Sequence, residues 1–94
     1  MKEIKIMSST RVEFFRSLRH FMPDHTIGEN QSNFSLPIEG GEVHIGLKDL
    51  PRRQVTGLLS LPQLEVSIDL AGIDEAVAEK FLDDFDLAFR RGGG

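Results

Sequence analysis

The chain has 94 residues, 39% of them hydrophobic, with 11 Lys+Arg against 15 Asp+Glu and a net charge of −4. One domain is the expectation at this length, and seven Phe among many Leu, Ile and Val exclude a disordered chain. The lack of Cys excludes disulfides, thiolate metal sites and a Cys nucleophile, the acidic balance disfavours a nucleic-acid binder, and no run reaches the roughly 18 apolar residues of a membrane span.

Lys2 to Met7 alternates, with Ile4 and Ile6 on one face and Lys5 on the other, which predicts a first strand. Thr10-Arg11-Val12-Glu13 is a capping box. Phe14, Leu18 and Phe21 follow at helical spacing, predicting an amphipathic helix over about 11–22 that Pro23 stops. Residues 24–32 read as a loop, with a short extended piece around Thr26-Ile27. Phe34 to Ile38 and Val43 to Leu47 both alternate with period two, and Gly40-Gly41 between them predicts a hairpin turn with two positive φ angles. Pro37 cannot donate to a ladder, so its strand belongs at an edge.

Val55 to Leu61 is a further alternating run, and Leu64 to Leu70 the cleanest one, with Pro62-Gln63 as the link between them. Asp74 is a natural N-cap for a helix over about 75–90, whose inner stripe is Val77, Phe81, Phe85, Ala88 and Phe89. The predicted order is β-α-β-β-β-β-α. The economical fold is α+β: a single antiparallel sheet of four to five strands with two helices packed on one face. The other sheet face is then left to water or a partner. A compact chain of this size has an expected radius of gyration of about 12 Å.

Charge is unevenly spread. Residues 1–60 carry +1 and residues 61–94 carry −5. Glu75, Glu79 and Asp83 repeat every four residues, so they form one acidic stripe away from Phe81 and Phe85. That stripe reads as a solvated face or as a docking face for a basic partner. The three histidines lack the spacing of a zinc site, and no cofactor or metal is expected. His44 falls on the outward phase of its strand, as do Ser67 and Asp69 on theirs, so the three meet on the open face if their strands are neighbours. Alternation alone produces such a polar face. Ser60 and Leu58 are placed in outward phase too, Leu58 as an apolar contact point among Thr56 and Ser60.

Arg11, Arg16 and Arg19 lie on the polar side of the first helix, Arg52 and Arg53 in the connection after Pro51, and Arg90 and Arg91 at the end of the last helix. Converging, they would bind an anion or an acidic peptide. Apart, they are ordinary surface charges. The Phe residues sit on inner stripes and Tyr and Trp are absent, which disfavours base stacking.

Arg90-Arg91-Gly92-Gly93-Gly94 resembles the C-terminal Gly-Gly of ubiquitin-like modifiers and sulfur carriers. The resemblance implies a carrier whose terminal carboxylate, at Gly93-Gly94, is activated. In those families the glycines follow a strand, whereas here they follow a helical stretch. Gly92 as a helix cap and residues 91–94 as a flexible tail account for the same residues. The expectation is a single domain over 1–94: a cytoplasmic, non-enzymatic binding or assembly module. It would meet another protein, or a second copy of itself, through the acidic helix face or the open sheet face. The carrier and the arginine-based anion binder are the alternatives.

Overall fold

The computed structural model describes residues 1–23 and 30–89. The elements are β1 (Lys2–Met7), α1 (Arg11–Phe21), β2 (Asn33–Ile38), β3 (Gly41–Gln54), β4 (Ser60–Asp69) and α2 (Glu75–Ala88). The strands form one antiparallel sheet in the order β1-β4-β3-β2, so β1 and β2, with Pro37, are the edges. Both helices cover the same face. Phe14, Phe15 and Leu18 of α1 join Ala78, Phe81, Leu82 and Phe85 of α2 in one buried cluster over Leu36, Val43, Ile45, Leu47, Leu64, Val66, Ile68 and Leu70. The α+β class and the two-layer architecture are those the periodicity predicts.

Local chemistry sets the helix limits. Thr10 accepts from the Glu13 amide while Glu13 accepts from the Thr10 amide, which supplies partners for donors left open at the start of α1. Asp74 does the same for α2 by accepting from the Ala76 amide at 3.1 Å. All seven Phe rings form one connected set, from Phe34 through Phe15, Phe14 and Phe89 to Phe85, Phe21 and Phe81. It joins α1, α2 and β2.

Four details differ from the sequence reading. The run 55–61 is not a strand of its own. β3 continues to Gln54, the chain turns over 55–59, and β4 begins at Ser60 and passes straight through Pro62-Gln63. Pro62 is tolerated because a bulge lies opposite it: the β3–β4 register jumps between Leu50 and Arg53, so no ladder bond is required there. The ends of β3 and β4 therefore leave the sheet as a two-stranded arm. It lengthens the molecule to 47 × 24 × 22 Å and raises the radius of gyration to 13.9 Å. Leu58 sits at the tip of this arm, fully exposed, and not on the sheet face.

The β2–β3 turn is also shifted by one residue. Ile38 pairs with Gly41, so Glu39 and Gly40 make the turn, and of these only Gly40 has positive φ, at 82°. The last helix ends at Ala88 with Phe89 as its cap. The expected piece at Thr26-Ile27 and the tail Arg90 to Gly94 lie outside the described residues.

Candidate functional site

The uncovered sheet face is built by strand alternation. Its residues fall in rows that run across the strands. Lys2, Asp69, His44 and Ser35 form one row, Ile4, Ser67, Gly46 and Asn33 the next, and Ile6, Glu65 and Lys48 a third. Ser35 Oγ lies 2.6 Å from His44 Nδ1, Asp69 accepts from the Ala71 amide at 3.0 Å, and Ser67 Oγ donates to the Gly46 carbonyl at 3.4 Å. These residues edge a shallow polar depression of about 400 Å³ whose floor is Gly46. A Cβ on Gly46 would stand 2.6 Å from Ser67 Oγ, so a side chain here displaces the hydroxyl.

His44, Ser67 and Asp69 do share this face, as their phase indicates, but the serine in contact with the imidazole is Ser35. A turn over Gly40-Gly41 would set 35 opposite 46; the observed turn over Glu39-Gly40 sets it opposite 44. Ser60 is remote from this group. It pairs with Gln54 in the arm and accepts from Arg52 Nε at 2.9 Å.

The apolar end of the same face was not legible. Ile4 and Ile6 point away from the helices and are 61% and 54% exposed, while Glu3, Lys5 and Met7 take the helix-covered side beside Ile68, Val66 and Leu64. Lys5 fits there because β1 is an edge strand. Its amine reaches Asp86 of α2 at 2.8 Å and Glu3 at 3.3 Å. The hydrogen bond to Asp86 is the main cause that holds the Lys5 pKa above its ordinary 10.5, against an opposing effect of burial. Between β1 and α2 runs a groove of about 400 Å³ lined by Met1, Glu3, Lys5, Glu79, Leu82, Asp83 and Asp86. Glu75, Glu79 and Asp83 are exposed along α2, as their spacing predicts, and Asp86 extends the acidic side into the groove.

The arginines are placed separately. Arg11 is held at the start of α1: its guanidinium donates to Asp49 Oδ2 at 2.9 Å, the Gln31 carbonyl at 3.1 Å and Ser32 Oγ at 2.9 Å. It clamps α1 to β3 and to the segment entering β2. Arg16 and Arg19 are exposed on α1. Arg52 and Arg53 lie in the arm. The arm's turn is fixed by Thr56, whose Oγ1 accepts from the amides of Leu58 and Leu59. That holds Val55, Leu58 and Leu59 in solvent, 48%, 102% and 49% exposed.

Among the described residues, no three His, Asp or Glu side chains are grouped to hold a metal ion. Nor is any helix long and apolar enough to cross a membrane. No family model, curated protein or solved structure matches the chain.

Proposed function

We propose that the chain is a cytoplasmic, non-enzymatic binding or assembly module, working by protein–protein contact through its uncovered sheet face and the acidic side of α2. The observation that carries this is the inverted β1 strand. Its isoleucines face solvent and its charged Glu3 and Lys5 face the helix layer. Stability alone favours the opposite arrangement, because burying an Ile side chain contributes about 1.5–3 kcal/mol. A partner on the open face gives Ile4 and Ile6 that burial. The arm supplies more exposed apolar surface at Val55, Leu58 and Leu59.

The polar row on the same face favours recognition over catalysis. Ser35 and His44 sit on an open surface, where a reacting group would stay in water. The test is the double substitution Ile4→Glu with Ile6→Glu. Both sites are exposed, so the purified variant should melt within a few degrees of the parent. In size-exclusion chromatography of extracts from its own cells, the parent should elute in a complex larger than twice its 10.5 kDa. The variant should lose that complex and elute at no more than twice that mass. Identical elution of the two overturns the reading.

A further inference from the structure

The arm and the β1–α2 groove are opposite in charge, and each exposes apolar surface, Leu58 at the arm tip and Met1 beside the groove. Between Asp49 and Glu65 the chain has no acidic residue and two arginines, Arg52 and Arg53. Apolar side chains stand beside them at the exposed tip, Leu58 fully so. The groove carries Glu79, Asp83 and Asp86 over Leu82, with Met1 at 47% exposure. Lys5 is the one basic side chain among its lining residues, and it is already held by Asp86 and Glu3. Glu79 and Asp83 have no hydrogen-bond or ion-pair partner among the described residues.

We propose that the occupant of this groove is the arm of a second copy of the same chain, in a two-fold pair where each arm lies in the other copy's groove. The proposal rests on the reading of the acidic side of α2 as a binding surface. The placement of the two features allows closure. The arm leaves the sheet at the Met7 end of β1, where Met7 pairs with Leu64, while the groove lies toward Met1. In a 47 Å molecule about 24 Å wide, two copies set side by side and antiparallel bring each arm alongside the other's groove. Both contacts form at once, so the assembly stops at two copies, as two-fold contacts do. Arg52 and Arg53 then face Glu79 and Asp83. The arm tip covers Met1. Complementary charges of this kind fix partner and register.

The experiment is sedimentation velocity on the purified chain with a charge swap. The parent should show a monomer–dimer equilibrium that weakens with added salt, since about 1 M salt shortens the screening length to about 3 Å. Arg52→Glu with Arg53→Glu should raise the dimer dissociation constant about tenfold or more, and so should Glu79→Lys with Asp83→Lys. Mixing the two variants in equal amounts should restore the dimer. One arm–groove contact is then of parental charge and the other is fully reversed. A misfolded variant cannot be rescued this way, so recovery also reports folding. A parent that stays monomeric up to about 1 mM at low salt overturns the proposal. A dimer indifferent to both variants, or variants not restored on mixing, does so as well. A dimer reaches only twice 10.5 kDa, so these results are read apart from the larger complex that Ile4→Glu with Ile6→Glu should abolish in cell extract, which tests the wider reading.

Discussion

Phe85→Ala is expected to lower the folding free energy by about 3–5 kcal/mol, the range for removing a buried aromatic ring. Phe85 is wholly buried. Its ring stacks on Phe89 at 4.1 Å between centroids, meets Phe21 edge-on at 6.0 Å and touches Phe81 at 6.1 Å. Phe21 belongs to α1 and the others to α2 and its cap, so the ring is a main joint between the helices. Truncation removes transfer energy and leaves a cavity bordered by three other rings, which can only partly close over it. Helix propensity does not offset the loss, since Ala gains well under 1 kcal/mol over Phe. Domains of this size have about 5–15 kcal/mol in total, and each kcal/mol moves the melting temperature by about 4–8 °C. A drop of tens of degrees is therefore expected in a thermal melt followed by circular dichroism. A change of less than a few degrees would show that the helices are held by something other than this ring set.

The second large effect is a contrast between two isoleucines about one strand apart. Ile68→Asp is expected to unfold the chain, whereas Ile4→Asp should change stability by about 0.5–1 kcal/mol or less. Ile68 is buried on the central strand β4, paired with Glu3 on one side and Ile45 on the other. A carboxylate there loses its water, finds no cation on either paired residue and lies beside the Glu3 backbone. Ile4 is opposite Ser67 on the uncovered face and already meets solvent. The comparison needs only urea titrations of the two variants. If Ile4→Asp proves the severe one, β1 is displaced by one residue, because such a slip exchanges the two faces of a strand.

How much the sequence discloses depends on whether the controlling contact is local. The capping box at Thr10, the cap at Asp74 and the Phe stripe of α2 are local, and they form as the residues indicate. The β2–β3 hairpin is local as well, but its turn falls one residue earlier than the Gly-Gly pair suggests, and only the observed register sets Ser35 opposite His44. The arm misleads because Val55, Gly57, Leu59 and Leu61 alternate like a strand, while Thr56 folds the same stretch into a turn with its hydroxyl. Pro62 reads as a breaker, yet the bulge opposite it leaves the missing amide without a required partner.

β1 is the most instructive case. Period-two alternation separates Ile4 and Ile6 from Lys5 but does not say which side the helices cover. Asp86, some eighty residues away, receives Lys5 at the sheet edge, a contact that alternation does not disclose. The groove is illegible for the same reason: its walls come from opposite ends of the chain. Arg11 was readable as a polar helix residue, but not as a clamp on Asp49, Gln31 and Ser32.

A partner on the open sheet face would shield Ile6 in the cell. Because the chain has no Cys, single-cysteine variants report on accessibility without background. The decisive measurement is maleimide labelling of Ile6→Cys and Arg16→Cys, each in the purified protein at low concentration and in intact cells. Both positions should label rapidly when purified, since both are exposed. In cells Ile6→Cys should be protected and Arg16→Cys, on the far side of the helix layer, should not. Equal labelling of Ile6→Cys in both settings would mean that the face stays bare, and would contradict the account.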